Sequence, residues 1–336
     1  MSTLVPQGSA TPRRVADDRV YAVRVPASTS NLGAGFDSIG MAIGRWLHVT
    51  ASIGASDQPV TIRRAGTVAS LDCAGGDDLI WRGFVAACVA LRRTPPNGVE
   101  LDVTSDIPVA RGLGSSAAAV VAGVLLANAV FDGGLDGAAV IDIAAALEGH
   151  PDNVAPSTLG GAVLSVRTGG HHYRSVRLGV HPSLRFIFLV PNFEVRTAVA
   201  RAALPQHLKF ETAVTAASRA AALVVGLQTA DVEILAAALD DVLHVPFRRA
   251  LVTGYDHVTT AAIAAGAIGA TLSGSGSTIV AVAQNGAVNE VCKAALRAWR
   301  SVGIEADAFL TAAEGSGATI DTRSDTTQKI YGTLHF

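Results

Sequence analysis

Residues Pro108–Val120, PVARGLGSSAAAV, set two glycines and two serines between a proline and a run of small apolar residues. A helix that starts near Ser115 leaves its first N–H groups unpaired and carries about half a positive charge from its aligned peptide dipoles, so it attracts phosphate. Gly112 and Gly114 permit backbone angles that other residues resist, and their missing side chains let a polyphosphate approach the main chain. Ser115 and Ser116 add hydroxyls that can donate to phosphate or ligate Mg2+. The same stretch would also suit a glycine-bearing loop in which Ser115 merely caps a core helix. Neither common phosphate pattern fits: no lysine follows as GxxxxGK[ST] requires, and GxGxxG fails on spacing.

Working outward, 336 residues suit two domains, each able to bury a core. Apolar residues make up 49% and charged residues 16%, so most of the chain is expected to fold. Lys+Arg number 26 against Asp+Glu 28, for a net charge of -2, and the basic residues form no stripe, which argues against nucleic acid. The stretch His257–Asn289 holds no Asp, Glu, Lys or Arg, but Ser273–Thr278 interrupts it with serines and glycines and removes the membrane reading. The opening MSTLVPQGSATPRR lacks the apolar run of a secretory signal, so the expected location is the cytoplasm, with no membrane partner. Cys73, Cys88 and Cys292 are widely spread and are expected to be reduced thiols filling core space.

Along the chain, residues 1–18 are expected to form a flexible tail. Val20–Val25 reads as a strand ending at Pro26, followed by a loop, ASTSNLGAGFDSIG, and a second strand over Leu47–Ile53. Asp78–Arg92 has helical spacing, VELDV alternates, Ser115–Phe131 and Val140–Glu148 read as helices, and Gly160–Val166 and Leu184–Val190 as strands. A boundary near Thr168–Gly170 separates a first domain, 19–168, from a second, 169–336. In the second, helices are expected at Val199–Leu204, Thr212–Gln228, Val232–Leu243, Val258–Ala265 and Val288–Ser301, with a strand at Ser277–Ala283.

Two further glycine- and hydroxyl-rich turns, RVPASTSNLGAGFDSIGMAI (Arg24–Ile43) and GATLSGSGSTIVAV (Gly269–Val282), lie beside strands. Together with PVARGLGSSAA they resemble the three motifs of the GHMP kinases, a family of small-molecule kinases, over about residues 20–310. Within that family, SNLGAGFDSIG and EGHPDNVAPSTLGG (Glu148–Gly161) are similar to the branch acting on L-homoserine, with weaker likeness at VRTAVARAALP and HVPFRRAL. The resemblance implies an α+β fold, with an N-terminal domain like the second domain of ribosomal protein S5 and a C-terminal ferredoxin-like domain. It implies ATP-dependent phosphorylation of the L-homoserine hydroxyl to O-phospho-L-homoserine in threonine biosynthesis. Rival readings are a kinase of this family acting on mevalonate, shikimate or a sugar, and an inactive nucleotide-binding relative.

By the resemblance, ATP is expected at Pro108, Val109, Ala110, Arg111, Gly112, Leu113, Gly114, Ser115, Ser116, Ala117 and Ala118, and Mg2+ at the Ser116 hydroxyl and the Glu148 carboxylate, hard oxygens that suit this cation. Asn31, Asp37, Asp152, Asn153, Arg201 and Arg248 are the expected substrate residues. Asp37 would meet the ammonium, and Arg201 and Arg248 the carboxylate through their planar forks, with Arg249 as an alternative to Arg248. Asn153, with Glu148 and Ser116, is expected to be catalytic. An amide accepts no proton at neutral pH, so Asn153 would orient the hydroxyl for direct attack on the γ-phosphoryl without a protein base, although Asp152 and His150 stand nearby. Asp78 occupies a place, near the adenine or ribose, where the family pattern leads one to expect Asn. His171–His172 reads as an exposed turn. An exposed apolar patch on so alanine-rich a chain could serve a homodimer.

Overall fold

A computed structural model of the chain describes residues 17–54, 56–324 and 329–330. The tail expected over residues 1–18 falls, up to residue 16, outside them. β1 (Asp17–Asn31) and β2 (Gly35–Ile53) make a long antiparallel hairpin. The segment read as a loop after Pro26 is thus mostly strand. Its Ser28, Thr29, Ser30 and Asn31 are loop-like by composition but buried, with partners for their polar groups. β3 (Val60–Gly66) follows, then α1 (Leu79–Ala90), whose N-terminus is capped by the Asp78 carboxylate accepting from the Ile80 and Trp81 N–H groups. β4 (Val99–Ser105) alternates buried and outward residues.

α2 (Ser115–Val130) is apolar all round and is enclosed by α1, β1 and α3 (Gly137–Glu148), as such a helix must be. α4 (Val154–Leu159), β5 (Ala162–Gly169) and β6 (His172–Leu178) come next. The Gly169–Gly170 turn taken as the domain boundary is the turn of the β5–β6 hairpin, and both strands belong to the first sheet. The reason is local: Gly169 and Gly170 both adopt positive φ, which reverses a chain without ending a domain.

The second half runs β7 (Leu184–Pro191), α5 (Thr197–Ala202), α6 (Phe210–Thr229), α7 (Val232–Leu239), α8 (Val245–Arg248), α9 (Tyr255–Ala264), β8 (Gly269–Leu272), β9 (Ile279–Gln284), α10 (Val288–Ser301) and β10 (Ala306–Thr311). α7 ends four residues earlier than its apolar pattern suggests, because the Asp241 carboxylate gathers the N–H groups of Leu243, His244 and Val245 into a new turn. The small sheet has the order β10-β7-β9-β8, all antiparallel, the ferredoxin-like arrangement. The charge-free stretch 257–289 supplies α9, β8 and β9 rather than a span. α6 is long and apolar enough to cross a membrane by length and composition. In this fold it packs on α7, with Leu223, Gly226 and Leu227 buried.

The chain then returns to the first sheet: β11 (Thr319–Ser324) pairs with β1, and β12 (Lys329–Ile330) pairs with β11, giving the order β12-β11-β1-β2-β4-β3 with β5 and β6 beside β2. Of the three cysteines only Cys88 is fully buried. Cys73 is exposed, because it sits in the irregular stretch before α1 rather than in the core, and Cys292 is intermediate on α10.

Candidate active site

β4 delivers the chain to Ser105, and the loop beyond it turns into α2 through Gly114, whose φ of +68° supplies no side-chain cap. The first N–H groups of α2 therefore face the loop without a capping side chain, the arrangement that receives anions. The loop is packed on both sides. A Cβ on Gly114 would lie 2.1 Å from Ser28 Oγ, and one on Gly112 2.1 Å from the Ser273 carbonyl oxygen. Ser273 Oγ donates to the Gly112 carbonyl at 2.6 Å, so the first and third glycine-rich motifs hold the middle one between them.

Around this cradle lies a cavity of about 870 Å³. Val109 through Ser116 line it, as do Asn31, Asp37, Glu148, Asp152, Asn153, Arg201 and Arg248. Three residues expected at the nucleotide are not on its wall: Pro108 precedes the turn, and Ala117 and Ala118 point into the core at 0% exposure. The helix meets the cavity with Ser115, Ser116 and, one turn on, Ala119, while Ala117 and Ala118 between them serve packing. Arg111 lines the wall but commits its fork elsewhere: Nε donates to the Pro191 carbonyl, Nη1 to that of Val109 and Nη2 to that of Asn192, and it pairs with Glu194. It ties the loop to the end of β7.

Glu148, the last residue of α3, accepts a hydrogen bond from Ser116 Oγ at 2.8 Å. Burial pushes the Glu148 carboxyl above its ordinary value, against the pull of Ser116, His150 and Arg82. A half-buried carboxylate beside a hydroxyl and an anion cradle is a donor set of hard oxygens that a small divalent cation satisfies.

Beyond Glu148 the loop carries His150, Asp152 and Asn153. Asn153 is fixed at both ends: Oδ1 accepts from Ser28 Oγ at 3.0 Å and Nδ2 donates to Ser30 Oγ at 2.9 Å. His150 Nδ1 bonds the buried Asp152 carboxylate. Asp37 lies opposite, its N–H donating to Asn31 Oδ1, while Asn31 Nδ2 reaches the Gly274 carbonyl. Asn31 is spent on holding Asp37 and the third motif in place. Arg201, on α5, meets Asp37 with two parallel bonds of 2.8 and 2.9 Å. Arg248 is 2% exposed, donates from Nε to the Ala200 carbonyl, and lies 5.2 Å from the centre of the Phe36 ring. Arg249 instead turns outward to Asp256 and does not line the cavity.

Arg64 was not singled out by the sequence. It pairs with Asp78 at 2.7 Å and lines the cavity together with Leu47, Val68, Leu79 and Val103. The Asp78 carboxylate is thus shared between Arg64 and the cap of α1. Ser28, Ser30, Phe36 and His244 were also missed. The alternation in Ser28-Thr29-Ser30 was the available signal for the two serines, since alternate strand residues share a face. His244 stacks on Phe36 at 5.0 Å and Nε2 approaches the Gly33 carbonyl at 3.3 Å, steadying the hairpin tip.

Two family profiles match the chain, GHMP kinases N terminal domain over residues 78–161 and GHMP kinases C terminal over residues 223–301. A homoserine kinase from Synechococcus sp. is 37% identical over 303 residues, covering 90% of this chain and 98% of its own length. One from Solibacter usitatus is 40% identical over 278 residues, covering 83% and 90%. The crystal structure of homoserine kinase from Cytophaga hutchinsonii superposes with a TM-score of 0.80 at 27% identity, covering 95% of this chain and 100% of that one.

Proposed function

The chain belongs to the GHMP kinases, and from that premise we propose that it transfers the γ-phosphoryl group of ATP to the side-chain hydroxyl of L-homoserine, releasing ADP and O-phospho-L-homoserine in threonine biosynthesis. The observation that carries this reading is one cavity in which an uncapped helix start adjoins a charge set matched to a small zwitterion. Phosphoryl transfer asks a protein mainly for alignment and charge neutralisation. The N–H groups at Gly114–Ser116 receive the polyphosphate, and Ser116 with Glu148 would hold Mg2+. When bound, that ion neutralises phosphate charge.

Asp37 takes the substrate ammonium, with Asp152 behind it, while Arg201 and Arg248 take the carboxylate. Asn153, pinned by Ser28 and Ser30, orients the hydroxyl toward the γ-phosphorus. The hydroxyl oxygen forms its bond to phosphorus as the bond to the β–γ bridging oxygen breaks, and its proton leaves late to a phosphate oxygen. Asp152 takes no part as base, because His150 already occupies its carboxylate. Such an enzyme acts on a free amino acid in the cytoplasm.

The test is ADP release from ATP with L-homoserine beside L-serine and mevalonate. L-homoserine should lead L-serine by about 100-fold in kcat/KM, the scale of discrimination one methylene allows, with mevalonate inert. Preference for mevalonate, or no ADP release at all, would refute the reading.

A further inference from the structure

Asp37 and Arg201 are each other's counter-ion in a two-bond fork inside the substrate end of the cavity. The acid cannot drift to accommodate a visitor: its φ of +54° is left-handed, and its N–H is tied to Asn31 Oδ1. Arg201 is the movable partner, on the last turn of the short helix α5 with 38% of its side chain exposed. A second guanidinium, Arg248, is fixed beneath α5 by its bond to the Ala200 carbonyl, and both guanidiniums address the one Phe36 ring, at 5.9 and 5.2 Å. Burial and then Arg201 press the Arg248 guanidinium below its ordinary value, as expected for two neighbouring cations. With Asp152 committed to His150, Asp37 is the carboxylate bonded to one member of this cation pair, Arg201.

Resting on the reading above, we propose that the Asp37–Arg201 fork is a specificity gate that only a zwitterion opens without loss. An incoming ammonium that claims Asp37 strips Arg201 of its counter-ion and leaves two guanidiniums facing each other unless the same molecule brings a carboxylate. An incoming carboxylate must win Arg201 from Asp37 and leaves that acid unpaired unless the same molecule brings an ammonium. A zwitterion exchanges one ion pair for two. The gate therefore rejects analogues carrying one charge more strongly than the loss of one contact would.

The experiment measures kcat/KM, and affinity by calorimetry, for L-homoserine, 4-hydroxybutanoate, which lacks the ammonium, and 3-aminopropan-1-ol, which lacks the carboxylate. Wild type is compared with Asp37→Asn and Arg201→Gln, with thermal melts confirming that each variant folds. Both variants should lose about 100-fold on L-homoserine. Asp37→Asn should gain about tenfold on 4-hydroxybutanoate because Arg201 is released, and Arg201→Gln about tenfold on 3-aminopropan-1-ol because Asp37 is released; tenfold corresponds to about 1.4 kcal/mol. Simple contact residues would give the losses without the gains. Folded variants that gain on neither analogue, in rate or in affinity, overturn the gate, whereas a wild type that ignores L-homoserine overturns the underlying reading.

Discussion

His150 and Asp152 lie together in the substrate end, with side chains 12% and 1% exposed. Burial opposes charge on the imidazole, but Asp152 overrides it and the group ends above its ordinary 6.5. The Asp152 carboxyl, also opposed by burial, is held below its ordinary 3.8, chiefly by His150. A raised imidazole stabilises the fold fully below 6.5 and loses that contribution as pH rises through the folded value. A depressed carboxyl stabilises above 3.8 and loses its part as pH falls through its own lowered value. The pair is therefore worth most between these two ordinary values. Wild type should lose melting temperature as pH rises from 6.5 through the folded value of the imidazole, and His150→Gln should lack this loss. Equal slopes for the two proteins would show that the ion pair is not formed. The sequence brought Asp37, Arg201, Glu148 and Asn153 into view, but not that Asp37 and Arg201 pair with each other or that Ser28 and Ser30 hold Asn153. The choice between Arg248 and Arg249 was open because adjacent helical residues differ only in direction, and direction depends on what α8 packs against.

At the scale of elements, the α2 start was legible because its conformation is written into glycines, whereas the hairpin before it was not. Ser28, Thr29 and Ser30 favour turns by local hydrogen bonding, and they stay in β1 because Asn153 and Ser273 supply partners across the fold. Such long-range partners have no trace in a local pattern. This packing separates two causes at Gly114, where φ is +68° and a Cβ would meet Ser28 Oγ at 2.1 Å and the Ser28 carbonyl oxygen at 2.9 Å. Gly134 has the same φ with nothing within 4 Å, so Gly134→Ala measures backbone strain alone, about 1–2 kcal/mol. Gly114→Ala should cost at least twice that in urea unfolding and weaken ATP about tenfold or more, as the loop is pushed off β1. Equal destabilisation by the two substitutions, with ATP affinity unchanged, would mean that the loop is free to move away from Ser28.

At the scale of the molecule, the return of β11 to the edge of β1 was illegible, because six residues cannot reveal which sheet edge awaits them. The uninterrupted apolar runs in β7 and β9 could be read more fully. Strands buried on both faces lack the polar alternation of surface strands. In β7, Phe186 and Phe188 join the core beneath the large sheet, while Ile187 and Leu189 join the second core against α9 and α10. In β9, Val280 and Val282 face the first core, and Ile279 and Ala281 the second. The small sheet is thus a shared wall, and Arg111 with the Thr29–Ser273 and Asn31–Gly274 bonds adds polar ties across it. Melting one core exposes the back of the other, so the two should unfold together in spite of their separate sheets. Trp299 is buried in the second core, while Trp46 and Trp81 lie in the large-sheet half. With Trp46→Phe and Trp81→Phe in place, Trp299 fluorescence should follow the same urea transition as the far-ultraviolet circular dichroism of the whole chain. A Trp299 midpoint more than about 0.5 M away would show that the second core melts on its own and that β7 and β9 do not couple the halves.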